Sequence, residues 1–521
     1  MTLCKDWISI KDYIGDPTYA EIHLLVSSWE GLDESKIVYD EDHDEGEDHD
    51  EIFDILRDLY PAFNDVSPSY DVNDVEKPNA DGKSFYNLLK DSQDPVYEGA
   101  KSSTMFAILE LLHIKTLGRW TNESFSMLLK FLKNRLLPTG STLPDSYKES
   151  KKIMRNLGIS YEKIDACVND CMLYWKENEK LDACNICGAS RWKTNKHSGE
   201  DKCKSNGKKI PHKILRYFPL KPRLQRLFMC SKTASLMRWH DGKKKKDGTM
   251  RHPVDGAAWE SFDKEFPEFA SDPRNVRLGL ASHGFQPFAN SKTPYSIWRV
   301  VLMPYNLPPD LCMKQSNILL SMLIPSPKGP GDAIDIYLQP LIEELKDLWD
   351  TGVETFDAAT QHHFNLRAPL MWTINDFPAY AMLSGWSTKG YLACPRCLKD
   401  KRSMGLSHGG KECYMDHRCY LPKNHRWRKD KDSFDGKVEH GLPPEPCSID
   451  EILLQLEDLE NIVLSKDPHV KTKINHELRG DNWNKKSIFF ELLYWRKHFL
   501  RHNLDVMHLR KIYVIMFLGQ L

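Results

Sequence analysis

The stretch that most constrains this 521-residue chain is the apolar run Ala368–Ile374, which stops on Asn375-Asp376-Phe377-Pro378. A run of this length, closed by a proline that cannot continue a hydrogen-bonded ladder, reads as an interior strand. Asp376 then stands alone at the strand end, where open sheets present their catalytic and metal-binding acids. The chain before it reads strand, strand, strand, helix: Val276–Ala281, Tyr295–Met303, Ile318–Ile324 and Ile334–Trp349. Turn signals separate these runs, among them Asn306-Leu307-Pro308-Pro309 and the Pro/Gly-rich segment 325–331, so the order predicts an α/β core. Pro340 lies inside the helical run and costs about 3 kcal/mol there, so the helix is expected to kink or to begin at that point.

Cysteine spacing is the second constraint. Cys167, Cys171, Cys184 and Cys187 form a C-x3-C-x12-C-x2-C frame, and Gly188 supplies the tight turn of a metal knuckle. Four thiolates at such spacings suit a structural, tetrahedral zinc site. The alternative is four cysteines in a reduced core, since neither the x3 spacing nor the intervening segment is that of a standard finger. A further thiol pair, Cys394-Pro395-Arg396-Cys397, follows the Asp376 strand.

The net charge of -2 conceals strong segregation. Asp40–Glu51 is almost wholly acidic and reads as a solvated tract or as a mimic of a phosphate backbone. Lys202–Arg251 is basic, and Tyr217, Phe218, Phe228 and Trp239 are interleaved with Arg216, Arg223, Arg226 and Arg238. That mixture predicts a surface for phosphates and bases, with those four arginines as nucleic-acid contacts. Lys243–Lys246 reads as a nuclear-import patch or as a solvated loop. Ser84–Leu137 carries helical periodicity, with Asn122 as the expected N-cap of its second helix, and suits a packing domain or a helix-turn-helix contact. With 13 cysteines, no secretory segment and no apolar run long enough for a bilayer, the chain is expected to be a soluble protein of a reducing compartment.

Strands, helix and strand-end acid together follow the order of a ribonuclease H-like core. Around them the chain resembles the transposases of plant CACTA (En/Spm-type) DNA transposons. The matching segments include Leu143–Lys151, Ala166–Lys176, Cys184–Lys193, Tyr217–Leu227, Arg277–Phe288, Gly331–Trp349, Trp372–Tyr380, Gly385–Cys397, His417–His425 and His502–His508. The resemblance implies an α/β, RNase H-like core of the DDE type with an N-terminal helical region and zinc-binding insertions. It implies three carboxylates holding two Mg²⁺ or Mn²⁺ ions for phosphoryl transfer. The family reads Leu-Ala-Ser-Asp-Gly-Phe at its first acid, whereas this chain has His283 there; Asp376 matches the second. At the third, His508-Leu509-Arg510-Lys511 puts Arg510 where the family has glutamate, with Asp505 on the same expected helix as the alternative.

The resemblance also gives Cys394 and Cys397 two partners from among His417, Cys419 and His425 at a second zinc site. It implies transposon-end DNA as substrate, nuclear localisation, a separate element-encoded DNA-binding protein as partner, and self-association as an open alternative, with no membrane contact. The expected organisation is an acidic, poorly ordered leader (1–78), a helical domain (79–160), a Cys-rich basic zinc- and DNA-binding region (161–272), the first part of the core (273–393), a Cys/His insertion with a charged linker (394–480), and a C-terminal core helix that is cut short (481–521). Two readings result: an impaired or truncated transposase, or a transposase-derived protein that binds zinc and DNA without catalysis.

Overall fold

The computed structural model describes residues 94–505 apart from 101, 119, 157–160, 196, 205–206, 243–249, 286–295, 315–316, 326–328, 394–397, 399–402, 407–410, 415, 435 and 443–446. The expectations placed on the leader, Lys243–Lys246, Cys394, Cys397 and Arg510 lie outside the described residues.

In chain order the strands are β1 (Glu162–Ala166), β2 (Leu173–Tyr174), β3 (Lys213–Tyr217), β4 (Leu278–Phe285), β5 (Ile297–Pro304), β6 (Leu319–Pro325), β7 (Val353–Asp357), β8 (His362–Leu366), β9 (Leu370–Asn375), β10 (Ser403–Leu406), β11 (Lys411–Tyr414) and β12 (His502–Leu504). Eight of them form one mixed sheet in the order β12-β9-β4-β5-β6-β3-β1-β2, while β7–β8 and β10–β11 pair as separate hairpins. Strands β4, β5 and β6 run antiparallel as a meander. Strand β9 joins parallel to β4, and β12 parallel to β9. Because β9 is buried along most of its length, its sequence reads as a near-continuous apolar run.

Between β6 and β7 the helix Ile334–Asp350 packs Ile334, Tyr337, Leu338, Leu341, Ile342, Leu345 and Leu348 into the core. Contrary to expectation, it neither starts nor breaks at Pro340. Each such buried side chain contributes roughly 1.5–3 kcal/mol, so seven of them outweigh the about 3 kcal/mol that an interior proline costs.

Two expectations are corrected at the C-terminal end. Among the described residues of the expected C-terminal core helix (481–521) there is no α-helix; the chain forms the short 3-10 turns Ile488–Glu491 and Leu493–Lys497, followed by β12. Ile488, Phe489, Phe490, Leu492, Tyr494 and Trp495 are all buried. Buried residues stand side by side at 488–490 and 494–495, and exposed Glu491, Leu493, Arg496 and Lys497 fall between and after them, so burial follows no single helical stripe. Asp505 therefore lies at the end of a strand and not on a helix. Within the expected Cys/His insertion and linker, Ile449–Leu456 is a helix closed at its start by a Ser448/Glu451 capping box.

Residues of the expected Cys-rich region do not stand apart from the core, since β1, β2 and β3 extend its sheet. The N-terminal helices Thr104–Leu117, Asn122–Phe131 and Tyr147–Asn156 share a core of their own, built on Ile108, Leu112, Phe125, Leu129, Leu143 and Tyr147. The N-cap of the second is Thr121, whose hydroxyl accepts from the Ser124 amide; Asn122 is already the first helical residue.

Candidate active site and metal centre

Register brings three strand ends into one row. Ser282 on β4 pairs with Asn375 on β9, and Leu504 on β12 pairs with the same Asn375. The next residue on each strand is His283, Asp376 or Asp505. His283 Nδ1 lies 3.2 Å from Asp376 Oδ2. The Asp505 amide donates to the Asn375 carbonyl at 2.8 Å, which seats Asp505 beside Asp376.

A buried polar rail fixes these ends. Asn375 Oδ1 accepts from the Ser282 amide at 2.9 Å, its Nδ2 donates to Thr373 Oγ1 at 2.9 Å, and that hydroxyl meets His502 Nδ1 at 2.8 Å. Asn375, Thr373 and His502 thus position the row without belonging to it. The sequence signal for them is weak: an amide beside a strand-end acid, and a histidine in a short run read as helix.

Asp376 also caps the helix Phe377–Ser384, because its Oδ1 accepts from the Ala379 amide at 2.8 Å. That helix ends at Gly385, where φ is +83° and an added Cβ would lie 2.4 Å from the Lys485 carbonyl oxygen. One oxygen of Asp376 is therefore spent on the helix and the other faces an imidazole. A clamp for two hard cations needs several free carboxylates, so the described residues of this row do not fit a Mg²⁺ pair as arranged. An imidazole held by a carboxylate is instead the geometry of an oriented proton acceptor.

Several histidines near these strands are held neutral. Burial pushes His498 and His502 down to about 3, aided by the Arg501 charge, and brings His240 and His252 down to about 4. Neutral His498 donates Nε2–H to the Leu370 carbonyl at 2.9 Å. Because these folded-state values lie below the ordinary 6.5, the unfolded chain binds more protons through that window; stability rises with pH across it and is lost as pH falls below about 6.5. We expect the denaturant midpoint to drop between pH 7 and pH 5. In a His498→Gln variant, which keeps a donor for Leu370, the drop should be shallower by up to about 1.4 kcal/mol per pH unit. An equal slope in the variant would show that His498 is already charged when folded.

The four cysteines do come together. The sulfurs of Cys167, Cys171, Cys184 and Cys187 all lie within 4.8 Å of one another, and Cys167 Sγ is 3.5 Å from Cys187 Sγ. A tetrahedron with Zn–S bonds of 2.3 Å has edges of about 3.8 Å, so the cluster fits a metal ion such as zinc. Two knuckles build it. One turns through Asp170 (φ 56°), the other through Gly188 (φ 70°), whose amide donates to the Cys184 carbonyl at 2.9 Å. The Asn169 amide N–H points at Cys167 Sγ at 3.3 Å. Burial pushes the Cys167 thiol up to about 12. Burial also acts upward on Cys187, but the Ala189 amide, the Asn169 side chain and the neighbouring thiols bring it down to about 7.

Buried Asp170 stitches this centre to the core through Lys213 on β3 at 2.5 Å, Lys466 at 2.7 Å and the Tyr337 hydroxyl of the core helix. Of the second expected metal set, Cys419 is buried and His425 caps a short helix with Nδ1 facing the Trp427 amide at 3.2 Å. His417 lies in the turn Asp416–Tyr420, and its side chain is outside the described residues.

The four arginines expected at nucleic acid are half-buried. Arg223 donates to the Leu320 carbonyl, and Arg238 is paired with buried Asp357. Arg216 lies on β3 and Arg226 on the helix Lys221–Met229.

Residues 247–459 match a family of transposases, which takes in β4 to β9 with both His283 and Asp376. The family is the one described as transposase family tnp2. No curated protein matches the chain. No helix among the described residues is long and apolar enough to cross a membrane.

Proposed function

We propose that this chain is a CACTA-type DNA transposase with an RNase H-like core of the DDE type, in a copy whose active site is impaired. The observation that carries this reading is the row of His283, Asp376 and Asp505 across three adjacent parallel strands, within a sheet whose β6-β5-β4-β9-β12 portion has the order of that core. The tnp2 match over 247–459 supports a transposase, and hence DNA as substrate. Impairment rests on His283, which stands where the family has an acid; Arg510, whose guanidinium cannot be deprotonated, adds to it only if position 510 is that of the third acid. Asp505 becomes the stronger candidate for the third acid because of its strand-end seat beside Asp376.

The second reading, a transposase-derived protein that binds zinc and DNA but does not cleave, is favoured by the engagement of both Asp376 oxygens and by the well-formed four-cysteine cluster. On either reading the protein works in the nucleus, with a separate DNA-binding protein or further copies of itself as partners. Cys394 and Cys397 would share a second zinc with two of His417, Cys419 and His425.

Strand cleavage in Mn²⁺ discriminates the readings. The unmodified chain should give background nicking, and His283→Asp with Arg510→Glu should raise it at least about tenfold, or 1.4 kcal/mol of transition-state stabilisation. Adding Asp505→Asn to that pair should return it to background if Asp505 is a ligand. Robust strand transfer by the unmodified chain would overturn the assignment of impaired acids.

A further inference from the structure

A cluster of exposed basic residues in the Cys-rich region lies on a β-finger, 190–212, which leaves the second cysteine knuckle and returns into β3. Its backbone closes on itself in three antiparallel passes. The Lys193 amide donates to the Ile210 carbonyl at 2.8 Å, that of Ile210 to Lys202 at 2.9 Å, and that of Lys202 to Lys193 at 2.7 Å. The base is clamped by Arg191, which bonds Asp165 of β1 at 2.7 Å and stacks between Tyr174 and Trp192. Arg191 therefore holds the finger and is not offered to a ligand. Lys193, Lys202, Lys208 and Lys209 are exposed, and Lys209 is paired with Asp201 at 2.9 Å. Between 193 and 209 six lysines face two acids, a local net charge of +4 in a chain whose total is -2.

Strand register decides which way this charge faces the rest of the molecule. Ala166, the residue before Cys167, pairs with Lys213 at the start of β3. β3 runs antiparallel to β6, so Lys213 lies toward the Pro325 end of that strand. Pro325 pairs with Ile297, and Ile297 with Phe285 at the end of β4. The cysteine centre and the root of the finger thus lie at the same end of the sheet as His283 and Asp376. Five strand spacings separate β9 from β1, about 24 Å. At 3.4 Å per base pair that is about seven base pairs of duplex.

We propose that the finger grips the phosphate backbone of a DNA duplex lying across these strand ends, about seven base pairs or more from the phosphate presented to the His283–Asp376 row. The choice of DNA as partner rests on the transposase reading; the location rests on register, exposure and charge. Arg216, Arg223, Arg226 and Arg238 are then the frame behind the finger and not the contact surface. A metal in the cysteine centre would hold the root of the finger rigid, so that the lysine spacing is preset before DNA arrives.

The test is binding of the full chain to a fluorescein-labelled duplex, by anisotropy, between about 50 and 200 mM salt. Lys193→Gln/Lys202→Gln/Lys208→Gln is compared with Lys264→Gln/Lys346→Gln/Lys497→Gln, lysines outside the finger. Equal zinc content and melting temperature in both variants ensure that a loss reports charge. Losing three phosphate contacts should lower the slope of log K against log salt by about 2.7 and weaken binding at least about tenfold, with little change in the comparison variant. An unchanged slope in the finger variant overturns the proposal, as does a wild-type chain that ignores duplex DNA or prefers single-stranded RNA or polyglutamate. If the acid-restored chain cleaves DNA while the finger variant binds normally, the finger inference fails and the transposase reading stands; the reverse outcome sinks the cleavage reading alone.

Discussion

Replacing Cys184 with serine should strip the metal from the purified protein and lower its stability by several kcal/mol. Four sulfurs within 4.8 Å of one another have two physical fates. Ionised together without a cation they would repel; with a divalent ion they become four bonds at one point. Metal binding of this kind contributes on the order of 10 kcal/mol in isolated fingers, and less where the surrounding fold is already made. The loss should spread beyond the knuckles, because Asp170 in the first knuckle holds Lys213, Lys466 and Tyr337 together. Metal analysis and thermal melting of Cys184→Ser, alongside the chelator-treated parent, check this. Unchanged melting in both, with less than one zinc per chain in the parent, would make the cysteines a reduced core.

The parts of the core legible in the sequence were those with a clear period or a hard stop. Strands β4, β5, β6 and β9 and the core helix fall within a few residues of their expected ranges because apolar runs bounded by Pro and Gly leave little choice. Asp376 was legible because a proline-closed strand ends on it. β7 and β8 were missed: Val353–Asp357 and His362–Leu366 are short, carry the adjacent polar pairs Glu354-Thr355 and His362-His363 that break a period of two, and are joined through Gln361 at φ 61°. β12 was missed because three residues give no period, and what makes it a strand is pairing with β9, a partner more than a hundred residues away. That miss concealed the seat of Asp505. The arginines of the basic window were misjudged for a related reason: composition reports charge, and only packing tells which charges are already bonded, as Arg238 is to Asp357.

The row of strand ends rests on a buried ion pair, and breaking it on one side should have the largest effect on stability of any single change outside the cysteines. Lys485 is fully buried, and its Nζ lies 2.5 Å from Asp335 Oδ1 and 2.7 Å from the Asp332 carbonyl. The other Asp335 oxygen accepts from the Ile488 amide at 3.0 Å. This joins the first turn of the core helix to the segment that leads into β12, and the same segment touches Gly385 at the end of the Asp376 helix. Lys485→Met leaves a carboxylate buried without its cation, which typically costs 3–5 kcal/mol. Burial already pushes Asp335 up to about 6 despite the lysine. Since this folded value lies above the unfolded 3.8, the folded protein binds more protons between the two, and stability falls as pH rises through that window. Without Lys485 the window extends upward, so the variant should be hurt less at pH 5 than at pH 8, where the carboxyl is forced to ionise. Asp335→Asn combined with Lys485→Met removes both charges and should recover most of the loss. Denaturant midpoints for the single and double variants at the two pH values decide the matter: a double variant no more stable than Lys485→Met would mean that the lysine acts through packing and not through charge.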